Sequence, residues 1–146
     1  MDIFTTFDIA ASGLRAQTTR LNTISANLAN SETTSTPEGG PYKKKSVLFQ
    51  TETLPFSGHL DAAARQNSVH AQGVKVVRIL EDDAPPRQVF DPSHPDADDN
   101  GYVAMPNVSV IKEMVDMMSA TRSYEANTTT IKSAKRMAMK ALDIGK

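Results

Sequence analysis

The fold is decided by the first 30 residues, which read MDIFTTFDIAASGLRAQTTRLNTISANLAN from Met1 to Asn30. Apolar side chains recur there at alternating spacings of four and three, with Gln17 as a polar exception: Ile3, Phe7, Ala10, Leu14, Leu21, Ile24 and Leu28. This pattern is typical of a helix with a narrow apolar stripe. We therefore predict a helix over residues 3–29, about 40 Å long at a rise of about 1.5 Å per residue.

Outside the apolar stripe, this predicted helix consists largely of residues with weak helix propensity. Its polar face is rich in Thr, Ser and Asn, including Ser12, Thr23 and Asn27, and Gly13 costs roughly 1 kcal/mol relative to Ala. A helix of this composition is not stable alone in water and needs a partner surface.

The end of the chain carries a second helical pattern. Five side chains recur every seven residues: Val110, Met117, Tyr124, Ile131 and Ala138. Ala120, Ala134 and Ala141 form a neighbouring seam, which Met114 and Leu142 widen. We predict a helix over 108–144, with Asn107 as its N-cap and Gly145 at its end. Its second half is basic.

The middle of the chain holds all eight prolines, between Pro37 and Pro106. Because proline disrupts helices, this segment predicts short strands and loops. We predict a strand over 73–80, shorter strands at 47–49 and 88–90, and a loop over 91–96. The sequence thus predicts a mainly α fold with an N-terminal helix (1–30), a central proline-rich β/loop domain (31–106) and a C-terminal helix (107–146). The two long helices are expected to pair as a coiled coil.

Composition limits the function. Sixteen basic and 17 acidic residues give a net charge of −1, which argues against nucleic-acid binding through bulk charge. The chain has no cysteine, so disulfides and thiolate sites are excluded. We predict no membrane span, since no stretch approaches about 18 apolar residues. The N-terminus lacks a basic leader and is not predicted to be a cleaved secretory signal.

Chemically suggestive motifs are few. Asp96–Gly101 matches the first six positions of a calcium loop, but its twelfth position is Asn107 rather than glutamate. His59, His70 and His94 lack the spacing of a helical metal site. The sequence also lacks a nucleophile elbow and a phosphate-binding glycine loop. We therefore expect no enzyme activity, cofactor or metal, and keep a calcium-dependent binding module as an alternative.

The motif Ala26-Asn27-Leu28-Ala29-Asn30, followed by Thr33-Thr34, resembles the N-terminal signature of bacterial flagellar axial proteins: rod, hook and hook-associated subunits. Further blocks resemble the flagellar basal-body rod proteins, and within that family the subunits of the proximal rod. These blocks are 36–42, 73–76, 91–98, 102–103, 106–108, 113–117, 124–127 and 141–146. The block at 91–98 is the most specific of them.

The resemblance implies a structural subunit of the periplasmic rod, exported unfolded through the flagellar type III apparatus without a cleaved signal. It implies that the terminal helices pair and form the wall of a hollow tube, with the middle outside. Expected partners are copies of itself, other rod proteins, the ring-to-rod adaptor and the export apparatus. The predicted assembly interface comprises Ile3, Phe7, Ala10, Leu14, Leu21, Ile24, Leu28, Val110, Met117, Tyr124, Ile131 and Ala138. A cytoplasmic coiled-coil adaptor or export chaperone is the competing interpretation.

Overall fold

Two long helices flank a small region of strands in the computed structural model, which describes residues 3–53 and 72–144. Within those residues the elements are α1 (Ile3–Ala29), β1 (Lys45–Thr53), β2 (Gln72–Glu81), β3 (Arg87–Phe90), β4 (Tyr102–Met105) and α2 (Val110–Ile144). The predicted arrangement of terminal helices around short strands is confirmed. Gly145, His59 and His70 lie outside the described residues.

The strands form two antiparallel pairs. β1 pairs with β2 from Lys45 opposite Glu81 to Thr53 opposite Gln72. The register shifts between Leu48 and Phe49, where β2 holds one extra residue, and such a bulge bends a strand and increases its twist. β3 pairs with β4 in the second sheet. The predicted strands over 73–80, 47–49 and 88–90 are confirmed, and the loop over 91–96 contains no strand or helix. β4 was not predicted.

The two helices lie against each other in antiparallel orientation. Asn27 near the end of α1 bonds Glu113 near the start of α2, while Gly13 in the first half of α1 lies against Asn127. A Cβ atom on Gly13 would lie only 2.9 Å from Asn127 Nδ2, so glycine permits the close approach of the helices at this point. The helix over 3–29 agrees with the prediction at both ends.

The predicted start of the second helix is wrong. α2 begins at Val110, and the Ser109 carbonyl accepts the Glu113 N–H at 2.9 Å, so Asn107 is not the N-cap. The physical reason is that Pro106 and Val108 are buried in a non-helical segment. The chain therefore reaches α2 only after these two side chains have been packed.

The core is built from small and polar side chains. The most buried side chains on α1 are Ala10, Ser12, Ala16, Thr23, Ile24 and Asn27, and those on α2 are Glu113, Ala120 and Ala134. Ser12, Thr23 and Asn27 lie on the polar face of the predicted helix, but the structure buries all three and satisfies each inside the molecule. Ser12 Oγ, for example, donates to the Ile9 carbonyl at 2.7 Å and accepts the Val74 N–H at 3.1 Å.

In the part of the chain that the structure describes, neither helix contains an apolar stretch sufficient to cross a bilayer.

Candidate assembly interface

A buried polar network joins the end of α1 to β1 and α2. The Asn27 side chain is 1% exposed. Its Nδ2 donates to the Lys45 carbonyl at 2.8 Å and to Glu113 Oε2 at 3.0 Å. Its Oδ1 accepts the Lys45 N–H at 2.9 Å and the Tyr42 hydroxyl at 3.0 Å. Both donor protons and both lone pairs of the amide are therefore used.

Glu113 supplies a buried negative charge to this network. The residue is 2% exposed, and its Oε1 lies 2.7 Å from Lys44 Nζ. A buried carboxylate is tolerated only when it is paired and hydrogen-bonded, and Lys44 and Asn27 meet both needs. A second ion pair, Arg20–Asp116 at 3.1 Å, joins α1 to α2 one turn further along α2.

Tyr42 completes the network from the loop before β1. Burial raises the pKa of the Tyr42 phenol; the charges of Glu81 and Glu113 act in the same direction, and Lys45 opposes them. The phenol therefore stays protonated and can donate to Asn27. The Tyr42 backbone N–H also donates to the Thr33 carbonyl at 3.0 Å, which folds the loop back onto the helix end.

The second asparagine of the 26–30 motif closes α1. Asn30 Nδ2 donates to the Ala26 carbonyl at 2.9 Å, and its Oδ1 accepts the Thr33 hydroxyl at 3.2 Å. The motif thus has two roles in this chain. Asn27 joins the helix to distant elements, and Asn30 folds back on the helix end, where both its side chain and its backbone N–H donate to the Ala26 carbonyl.

The residues predicted as an assembly interface fall into three groups. Ala10 and Ile24 are buried within the chain, and Val110 and Tyr124 are exposed. The rest are partly buried: Ile3, Phe7, Leu14, Leu21, Leu28, Met117, Ile131 and Ala138. Ten of the twelve thus keep surface that another chain could cover, and their role in assembly stays a prediction.

A further apolar stripe on α2 was not predicted as a face of its own. Its members, each more than half exposed, are Ile111, Met114, Val115 and Met118. Their spacing of three, four and seven residues places them on one side of the helix, opposite the buried Ala120. The signal was present in the sequence, because the six apolar residues over 110–118 form a face wider than one seven-residue seam, with Lys112, Glu113 and Asp116 on the other side.

The carboxylates in the loop between β3 and β4, residues 91–101, form local hydrogen bonds. Asp98 Oδ1 accepts the backbone N–H groups of Asn100 and Tyr102 at 2.9 and 2.8 Å, and Asp96 Oδ2 accepts the Thr34 hydroxyl at 2.7 Å. His94 Nδ1 accepts the Asp96 N–H at 3.1 Å. Among the residues with described positions, no three His, Cys, Asp or Glu side chains are grouped closely enough to hold a metal ion.

Two family models match the chain at its ends. Residues 7–35 match "Flagella basal body rod protein", and residues 99–144 match "Flagellar basal body rod FlgEFG protein C-terminal". The chain is also similar over its full length to proteins named flagellar basal-body rod protein FlgC. It is 45% identical to that of Bacillus subtilis (strain 168), with 100% of both chains covered.

Similar values hold for other bacteria. Identity is 44% with the Salmonella typhimurium protein, with 99% of both chains covered. It is 41% with that of Borreliella burgdorferi, with 99% of this chain and 98% of the relative covered. The chain belongs to the FlgC family of flagellar basal-body rod proteins.

The FlgC family assignment gives the buried network a specific meaning. The stretch matched by the first model contains Asn27, and the stretch matched by the second contains Glu113. The 3.0 Å hydrogen bond between these side chains joins the two matched stretches directly. In this chain the network therefore holds together the two helices that the flagellar rod models describe.

Proposed function

We propose that this chain is a non-enzymatic structural subunit of the proximal rod and polymerises through its terminal helices. The resulting hollow shaft crosses the periplasm and links the membrane ring to the distal rod and hook, so that flagellum assembly and motility depend on it. One observation carries the proposal: after α1 and α2 have packed together, apolar side chains on both helices still keep accessible surface. Such surface is typical of a protein interface.

The proposed organisation follows the predicted boundaries. The N-terminal axial helix (1–30) and the C-terminal axial helix (107–146) pair as an antiparallel coiled coil and form the wall of the tube. The central β/loop domain (31–106) lies outside that wall. The buried Asn27–Glu113 hydrogen bond and the Arg20–Asp116 ion pair support a fixed register between the two helices.

The proposed partners are copies of the chain, other rod proteins, the ring-to-rod adaptor and the flagellar type III export apparatus. The chain is exported unfolded, without a cleaved signal peptide. Its lack of cysteine supports this route, since no disulfide can form before export. The small, polar core also supports it, because little apolar burial must be undone when the chain unfolds.

A charge on the apolar seam of α1 tests the proposal. Leu14→Asp and Leu21→Asp should leave expression unchanged but abolish rod assembly and motility, because assembly would bury an unpaired carboxylate. Asn22→Asp on the exposed side of the same helix is the matched control. Rods are counted by electron microscopy and motility is scored in soft agar.

The folded state must be checked separately. Circular dichroism of the purified variants shows whether Leu14→Asp or Leu21→Asp has simply unfolded the monomer. If both variants swim like the wild type, the α1 seam is not an assembly interface and the proposal fails.

A further inference from the structure

The second half of α2 carries a basic stripe. Lys132, Arg136 and Lys140 repeat every four residues and lie on the side away from the buried Ala134, and all three are exposed. Within the described residues, none of the three forms an ion pair. A solvent-facing row of unpaired cations is suited to an acidic partner surface.

The loop between β3 and β4 carries the opposite charge. Residues 91–99 contain one histidine, His94, and four aspartates: Asp91, Asp96, Asp98 and Asp99. They contain no other titratable side chain. Asp91, Asp96 and Asp98 accept hydrogen bonds from neutral groups, and no ion pair joins any of the four aspartates to a described residue. This acidic loop therefore keeps its net negative charge.

The acidic loop and the basic stripe lie at opposite ends of the helix pair. The Thr34–Asp96 hydrogen bond, at 2.7 Å, ties the loop to the segment after α1, and Tyr42 ties that segment to Asn27. Asn27 in turn contacts Glu113 near the start of α2. Arg136 lies 23 residues further along α2, which corresponds to about 35 Å at about 1.5 Å per residue. The two charged surfaces are thus too far apart to pair within one chain.

We propose that the acidic loop of one copy contacts the basic stripe of a second copy, head to tail. The inference rests on the proposed function and names the surfaces that meet. Contacts between unlike surfaces can repeat without closing, as growth of a shaft requires. Complementary charges mainly raise the association rate and fix the register, so the contact should weaken as salt screens it.

Disulfide cross-linking of assembled basal bodies tests this contact, because the chain has no cysteine of its own. The variant carries Asp99→Cys and Arg136→Cys, since Asp99 makes none of the turn hydrogen bonds that Asp98 makes. Mild oxidation should give a ladder of linked copies. The matched control pairs Asp99→Cys with Arg15→Cys, an exposed arginine on α1, and should give none.

Three results would overturn the head-to-tail contact while leaving the proposed function intact. They are rods that assemble without a ladder, a ladder of equal strength in the control, and a link to a different rod protein. A strain that builds complete rods without the chain would instead overturn the proposed function.

A charge exchange supplies a second readout where cysteine variants assemble poorly. Arg136→Glu alone should lower the number of assembled rods, and adding Asp99→Lys should restore most of it. If the double variant is no better than the single variant, the contact is wrong.

Discussion

Asn27 brings a helix end, a strand start and a carboxylate together at one amide group. Its four hydrogen bonds reach Tyr42, Lys45 and Glu113, and they leave the side chain 1% exposed. Only a side chain with two donors and two acceptor lone pairs can make this set. At the scale of single residues, the register of α1 against α2 therefore depends on an amide.

The isosteric change Asn27→Asp should destabilise the fold strongly. It removes both donors to the Lys45 carbonyl and Glu113, and it places a second carboxylate about 3 Å from the first. Breaking a buried pair of this kind costs about 3 kcal/mol of the free energy of unfolding. Urea denaturation of the full chain measures the loss, with exposed Asn22→Asp as the control.

Adding Glu113→Gln to that variant should recover part of the stability, since the amide can donate to the new carboxylate. Equal unfolding midpoints for the wild type and Asn27→Asp would show that the network does not stabilise the fold.

Alkaline pH tests the same network through Tyr42. Its pKa is raised above the usual 10.0, chiefly by burial, so folding favours the protonated phenol. The stability contributed by this group is therefore fully present below about pH 10 and is lost as the pH rises through the higher pKa of the folded state. Ultraviolet titration of phenolate in the wild type and in Tyr42→Phe isolates this group. A Tyr42 phenol that ionises at or below 10.0 would contradict the assigned burial.

How far the residues could be assigned from the sequence depends on where their partners lie. The bounds of α1 were predictable because the spacing of Phe7, Leu14 and Leu21 is a local pattern. The burial of Ser12 and Asn27 was not, because their partners Val74 and Glu113 lie 62 and 86 residues away. Serine and asparagine between apolar seams look like a solvated face until those partners are known.

The helices and strands were also predictable only where the local sequence determines them. The ten-residue strand β2 carries enough β-branched residues to be predicted. β4 (Tyr102–Met105) is as short as β3 and is fixed by its pairing with β3 and by the burial of Val103. The start of α2 was misplaced because the burial of Pro106 and Val108 overrides a local capping signal at Asn107. Tertiary packing, absent from local patterns, decided both.

The packing of β2 on α1 depends on Gly73. A Cβ atom at this position would lie 2.9 Å from Ser12 Oγ, which accepts the Val74 N–H. Gly73→Ala should therefore lower the free energy of unfolding by about 1–3 kcal/mol, as overpacking does. Thermal denaturation measures the effect.

The neighbouring exposed change Gln72→Ala should be close to neutral and serves as the control. Adding Ser12→Ala to Gly73→Ala should show coupling between the two sites, because the change at Ser12 removes the clashing oxygen. Additive effects would mean that the strand does not approach the helix at this point.

The whole molecule combines a small polar core with much exposed apolar surface. Apolar residues make up 39% of the chain, yet large side chains along α2, from Ile111 to Ile144, remain accessible. A monomer of this kind gains stability when a neighbour covers that surface, since binding to the folded state shifts the folding equilibrium. Assembly should therefore stabilise the helices further.

Electron microscopy of basal bodies from a strain that lacks this gene tests the central claim most directly. A strain complemented with the intact gene is the control. The account predicts membrane rings without a rod in the deletion strain and complete rods after complementation. Complete rods and hooks in the deletion strain would contradict it, because a structural subunit of the proximal rod cannot be dispensable for the rod.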